Sequence, residues 1–193
     1  MKGGFSMKRL YTIIIVLLCL SLTSCSNNTE KSIINSVTKV EQLDHQFSNF
    51  QITYDEYMKE IKQFFINNYD ESYHYNRRYV PEPIDLKNLT KSQLDEAREH
   101  IKEQYNILVQ ISKPYKMDNE KYNVFTKSNI TSNDSDIGGF IITRKYMLIT
   151  ENNEWKIMGI ENSLSEENTP EDELKYTTVN NQKVEYIDSF EFK

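Results

Sequence analysis

Residues 140 to 161 read FIITRKYMLITENNEWKIMGIE, and this stretch decides the fold of the chain. Two runs rich in β-branched and aromatic residues, Phe140 to Thr150 and Trp155 to Glu161, flank the polar sequence Glu151-Asn152-Asn153-Glu154. Such runs favour strands, and asparagine tolerates the positive φ angles that tight hairpin turns require. The stretch therefore predicts a β-hairpin in an antiparallel sheet.

Further strands are predicted on both sides of this hairpin. Before it, apolar and polar residues alternate from 122 to 126, which predicts a strand that ends near Thr131. After it, residues 163–193 form a possible C-terminal extension, in which an acidic interruption up to Leu174 precedes a second hairpin around Asn180-Asn181. The two strands of that hairpin are predicted at residues 175–179 and 182–187. The pattern leaves open whether they join the same sheet.

Three amphipathic helices are predicted in the first half, from apolar residues that recur every three or four positions. Capping-box patterns begin two of them, at Thr53 with Glu56 and at Thr90 with Gln93. The predicted helices cover residues 32–48, 54–69 and 91–112. Helices followed by strands predict an α+β fold, in which N-terminal amphipathic helices pack on an antiparallel β-sheet.

The N-terminus has the pattern of a secretory signal. Lys8 and Arg9 precede an apolar run from Tyr11 to Leu20, and this run of about ten residues is shorter than the roughly 20 that a membrane-spanning helix needs. Met1 and Met7 are alternative start residues. The run leads to Leu22-Thr23-Ser24-Cys25, which is an aliphatic residue, two small residues and a cysteine.

This tetrapeptide resembles the lipobox of bacterial prolipoproteins. The resemblance implies that residues 1–24 are a signal peptide, that Cys25 receives the lipid, and that the protein is lipid-anchored on the extracytoplasmic face of the cell membrane. The polar residues that follow Cys25 predict a tether at 25–31, and the order of helices and strands predicts a single α+β domain at 32–193. The excess of Lys over Arg, 18 to 5, suggests an AT-rich genome and a Gram-positive source.

Charge and cysteine content limit the functions of the mature chain. Loss of the signal removes three basic residues, so the formal charge changes from -6 to about -9. Such a surface repels nucleic acid phosphates, and no nucleic acid partner is expected. Cleavage before Cys25 also removes Cys19, which leaves no thiol for a disulfide, a metal cluster or a nucleophile.

Residues 50 to 161 resemble the NTF2-like superfamily, through Tyr146 to Ile149, the polar turn, and Trp155 to Ile160. The resemblance implies a curved sheet that wraps a long helix, an NTF2-like or cystatin-like cone, with a pocket that some members use for catalysis and many for binding. Enzymes of that superfamily place acidic residues or histidines in the pocket. The predicted strands offer mainly Tyr, Phe, Ile and Thr with Arg144 and Lys145, so no catalytic residue and no cofactor is predicted.

The segment between the second and third predicted helices carries an unusual cluster of aromatic and basic residues. Aromatic rings beside guanidinium groups can hold an anion or stack on a flat ligand. The candidate contacts for a ligand or a protein partner are Tyr73, His74, Tyr75, Arg77 and Arg78. The competing interpretation is that the tyrosines pack this segment on the domain and the arginines pair with surface acids.

No metal site is predicted. The three histidines, His45, His74 and His100, lie on separate segments without partners at ligand spacing. Asp134, Asp136 and Gly138 resemble part of a calcium loop, but the position of the bidentate glutamate holds Lys145. A turn is the simpler interpretation.

These patterns together predict a lipid-anchored, non-catalytic binding or interaction module of the cell envelope. The alternatives are a hydrolase or isomerase with an NTF2-like pocket, and a component of an envelope secretion or conjugation assembly. A substrate-binding lipoprotein of a transporter usually needs two lobes, and the length of 193 residues argues against it.

Overall fold

The computed structural model describes residues 7–67, 89–102, 105–118, 120–133 and 138–192, with side chains described from residue 28 onward except at 100–102. The helices are α1 (Met7–Ser48), α2 (Tyr54–Ile61), a 3-10 turn (Lys62–Phe64) and α3 (Lys91–Lys102). None of the described helices has an apolar stretch long enough to cross a bilayer. All of these helices precede the strands in the chain, as the sequence predicted.

Eight strands follow in the described part of the chain. They are β1 (Tyr105–Ser112), β2 (Tyr115–Asp118), β3 (Lys121–Ser132), β4 (Phe140–Glu151), β5 (Glu154–Glu166), β6 (Thr178–Val179), β7 (Gln182–Lys183) and β8 (Tyr186–Phe192). Six of them form one sheet in the order β5-β4-β3-β1-β8, with β2 also paired to β3. Its strand pairs are antiparallel. The α+β class with an antiparallel sheet is therefore confirmed.

The capping box predicted for α2 is present. The Thr53 hydroxyl accepts a hydrogen bond from the Glu56 amide at 3.2 Å, and the Glu56 carboxylate accepts one from the Thr53 amide at 2.8 Å. The predicted end at residue 69 is wrong, because the α-helix ends at Ile61 and the 3-10 turn follows. Beyond the turn, Phe65 is extended and the Ile66 amide donates to the Ile157 carbonyl oxygen at 3.2 Å. Pairing with the edge strand β5 therefore ends the helix.

The predicted helix over residues 91–112 is wrong in its second half, which forms β1. Tyr105 and Leu108 continue the helical spacing, but Ile107, Val109 and Ile111 also alternate, and these three are buried. β-Branched residues at period two favour a strand, and pairing with β3 and β8 on both sides satisfies its backbone. The strand β2 was also missed by the sequence pattern.

Both asparagine turns are confirmed. Asn152 and Asn153 have φ of 53° and 64°, and Asn180 and Asn181 have φ of 50° and 62°. The structure also answers the open question about residues 163–193. Strand β5 extends to Glu166, so the predicted acidic interruption starts after Glu166 and not at Ser163. Strands β6 and β7 form a small sheet of their own. The last strand, β8, joins the main sheet beside β1.

Buried apolar residues lie on both faces of the sheet. The main cluster lies under the helices and includes Ile33 and Val37 of α1. Phe125 is on the opposite face, because it follows the helix-facing Val124, and it is also buried. The segment 167–185 contributes Leu174 and Val184, which are buried and do not belong to the main cluster. This segment also places Glu171 3.7 Å from Lys127, so it forms a third layer behind the sheet.

Candidate functional site

A buried polar network lies between α1 and the sheet. From α1 come Glu41, Asp44 and His45, whose spacings of three and four residues put them on one face of the helix. That face also carries Val37 and Val40, which have no exposed surface. From the sheet come Thr126 and Ser128 of β3 and Arg144 and Tyr146 of β4, and α2 adds Tyr57; each of these side chains is buried.

The Glu41 carboxylate is at the centre of this network. Its Oε1 accepts hydrogen bonds from the Thr126 hydroxyl at 2.5 Å and from the Tyr146 hydroxyl at 2.8 Å. Its Oε2 accepts a hydrogen bond from Nη1 of Arg144, with which it forms an ion pair. Charge-assisted bonds of this kind are about twice as strong as bonds between neutral groups. The network thus joins α1 to the adjacent strands β3 and β4.

Asp44 extends the network to α2. Its Oδ1 accepts a hydrogen bond from the Tyr57 hydroxyl at 2.6 Å, and its Oδ2 lies 3.6 Å from Nη1 of Arg144. The same guanidinium therefore faces two carboxylates, and α2 is tied to α1 through a buried side-chain bond.

His45 completes the network at the C-terminal end of α1. Its Nε2 lies 3.6 Å from Oε2 of Glu41 and 3.4 Å from the Ser128 hydroxyl oxygen, and its ring centroid lies 5.2 Å from that of Phe192 in β8. The pKa of His45 is lowered from 6.5 to about 4, chiefly by burial. The charge of Glu41 opposes this shift, the Arg144 charge adds to it, and Asp44 opposes it more weakly. At pH 7 the imidazole is neutral.

Glu41 beside the neutral His45 has the composition of a general acid-base pair. Whether such a pair can act on a substrate depends on its access to solvent. Glu41 and His45 have no exposed surface, and Arg144 is 1% exposed. A reactive group must contact its substrate within hydrogen-bonding distance, which this arrangement prevents. In this conformation the network fixes the position of α1 on the sheet.

The candidate contacts Tyr73, His74, Tyr75, Arg77 and Arg78 lie outside the described residues, and their role stays a prediction. Cys25 lies within the backbone span of α1, as do the tether residues 25–31. Among the described side chains, no group of three or more His, Cys, Asp or Glu could hold a metal ion. Asp134 and Asp136 of the calcium-like loop are outside this part of the chain.

The sequence pattern missed the network, although a signal for it was present. Glu41, Asp44 and His45 interrupt the apolar face of a predicted helix, and Arg144 interrupts an apolar strand. Polar residues at such positions are buried and need partners. The carboxylates come from the helix α1, whereas the expected position of acidic pocket residues was on the strands.

A scan of the chain against models of known protein families finds no match, and a comparison with curated protein sequences finds no similar protein.

Proposed function

We propose that this chain is a lipid-anchored protein of the extracytoplasmic face of a bacterial cell membrane, and that its domain is a non-catalytic binding or interaction module. The observation that carries the proposal is Leu22-Thr23-Ser24-Cys25 at the end of a basic and apolar signal. The thiolate of Cys25 is the nucleophile that takes the lipid. Two or more acyl chains, at about 0.8 kcal/mol per buried methylene, then hold the protein on its membrane.

The topology supports an NTF2-like cone for the domain. The long helix α1 lies on one face of a six-stranded antiparallel sheet, as that fold requires. Register shifts occur between Ile111 and Ser112 in the β1–β8 pair, and between Met147 and Leu148 in the β4–β5 pair. Such irregularities bend and twist strands, which favours a curved sheet.

The buried network supports a binding role over a catalytic one. Three donors already satisfy the Glu41 carboxylate, and the residues around it belong to the core. We propose that the domain contacts a protein or a small ligand through Tyr73, His74, Tyr75, Arg77 and Arg78. Crosslinking of the protein in its own membrane tests this role, and a secretion or conjugation assembly is one kind of partner that it would reveal.

Substitution of the two cysteines tests the anchor. We expect Cys25→Ala to leave an uncleaved precursor that does not incorporate labelled palmitate. The matched control is Cys19→Ala, because Cys19 lies in the discarded segment and its loss should leave cleavage and labelling unchanged. Normal labelling of the Cys25→Ala variant would overturn the proposal.

The second candidate function is a hydrolase or isomerase. The neutral His45 beside Glu41 favours it, provided that the network opens to solvent. Hydrogen exchange at the imidazole C2 carbon, measured by mass spectrometry, reports that opening. Protection of His45 supports the binding role, whereas exchange as fast as in a free histidine would favour the enzyme.

A further inference from the structure

One end of the domain lies next to the proposed lipid anchor. Glu41 contacts Thr126 and His45 lies near Ser128, so α1 runs in the same direction as β3. The start of the domain part of α1 is therefore at the end of the sheet where β3, β5 and β8 begin. The pKa of Lys113 at this end is raised by its ion pair with Glu185 and, more weakly, by the nearby Glu30 of α1.

We call this region the anchored end, and it comprises residues 28–31, 113–118, 120–121, 151–156 and 185–187. Cys25 is five residues before Glu30 in the same helix. At a rise of about 1.5 Å per residue, its Cα lies about 8 Å along the helix axis from that of Glu30. A lipid on Cys25 therefore brings the anchored end to the bilayer surface.

Exposed apolar side chains are present at this end. Among the described residues, the large exposed hydrophobic ones are Met117, Met158, Leu164 and Ile187. Met117 is 57% exposed in β2, and Ile187 is 50% exposed at the start of β8. Tyr115, Tyr122 and Trp155, which are partly buried, lie at the same end. Tyrosine and tryptophan are enriched where proteins meet the headgroup region.

The charge of the anchored end differs from that of the rest of the mature chain. It contains five lysines and six acidic residues, which give a formal net charge of -1, whereas the whole mature chain carries about -9. Nearly all of the acidic excess therefore lies elsewhere. Because an anionic bilayer repels acidic surfaces, the anchored end is the part that approaches it at the lowest electrostatic cost.

We propose that the anchored end rests on the bilayer, with Met117 and Ile187 in its interfacial region, so that the opposite end of the sheet points away from the membrane. This inference rests on the proposed lipidation of Cys25. Leu164 marks the opposite end, because it follows Trp155 by nine residues in β5 and pairs with Ile142. At about 3.3 Å per residue, these two positions are roughly 30 Å apart along the strand.

Single labels in the intact lipoprotein test the orientation. The mature chain has no cysteine other than the lipidated Cys25, so Met117→Cys, Ile187→Cys and Leu164→Cys each give one thiol for an environment-sensitive fluorophore. The lipoprotein is placed in vesicles of phosphatidylcholine and phosphatidylglycerol that contain nitroxide-labelled lipid. We expect quenching and a blue shift at positions 117 and 187, and neither effect at the control position 164.

Equal emission at the three positions, in a preparation that floats with the vesicles, would refute the orientation while leaving the anchor intact. A blue shift at positions 117 and 187 without quenching by the nitroxide lipid would indicate that a protein covers these positions. That result would also refute the proposed orientation. Failure of the wild-type protein to float would instead contradict the proposed lipidation itself.

Discussion

Replacement of Arg144 by methionine tests whether the buried network holds α1 on the sheet. The guanidinium is ion-paired with Glu41 and lies 3.6 Å from Asp44, and the three side chains are at most 6% exposed. Removal of one partner of a buried ion pair costs about 3 to 5 kcal/mol, because the other charge stays buried without compensation. Domains of this kind have a free energy of unfolding of about 5 to 15 kcal/mol. We therefore expect Arg144→Met to remove a large fraction of the stability.

The adjacent residue provides a matched control. Lys145 is on the opposite face of the strand and pairs with Glu161 at 2.7 Å, where the two side chains are 22% and 42% exposed. Such a partly exposed pair contributes about 0 to 1 kcal/mol, so Lys145→Met should change the stability little. Urea unfolding followed by the fluorescence of Trp155, the single tryptophan, measures both variants.

Two results would refute this reasoning. The first is a loss in Arg144→Met no larger than the loss in Lys145→Met. The second comes from the double variant Glu41→Gln/Arg144→Met, which removes both charges of the pair. The double variant should be more stable than Arg144→Met. If it loses as much stability as Arg144→Met or more, the unpaired charge of Glu41 is not what destabilises the single variant.

Further predictions concern pH and a turn. Burial lowers the pKa of His45 to about 4, so between pH 6.5 and 4 the imidazole is protonated in the unfolded chain and neutral in the folded chain. The free energy of unfolding should therefore fall by on the order of 3 kcal/mol as the pH is lowered from 6.5 to 4. His45→Gln should lose this part of the pH dependence, and parallel curves of urea midpoint against pH for the two proteins would contradict it. A Cβ at Gly139 would lie 2.5 Å from the Ile130 carbonyl oxygen and would also overlap the Glu167 carboxylate, so Gly139→Ala should cost about 1 to 3 kcal/mol in thermal unfolding. A Cβ at Gly138 has no other atom within 4 Å, so Gly138→Ala should leave the stability unchanged. An equal loss of stability in the two variants would show that the chain around Gly139 accommodates the added methyl group without cost.

Features that depend on neighbouring residues were predicted well from the sequence. Thr53 with Glu56 and Thr90 with Gln93 form the expected capping bonds. The turn at Asn152-Asn153 has the expected positive φ angles. Each of these signals acts within four residues, so one short stretch contains both partners.

Features that depend on distant partners were missed. Tyr105 to Ser112 satisfies both a helical and an alternating spacing, and pairing with β3 and β8 decides between them. Glu41 meets Thr126, Arg144 and Tyr146, which follow it by 85 to 105 residues. A sequence pattern shows that a polar residue interrupts an apolar face, but it does not identify the partner.

The position of β8 beside β1 has a consequence for how the molecule is made. A ribosome synthesises residues 186–192 after the other strands of the sheet, and until they arrive β1 has a partner on one side only. An open, apolar strand edge is a site for pairing with other chains, and contacts between distant residues form slowly. Phe192, which contacts the ring of His45, arrives with the same strand. Completion of the sheet must therefore wait until β8 has left the ribosome, and deletion of even this short strand would leave the domain prone to aggregation.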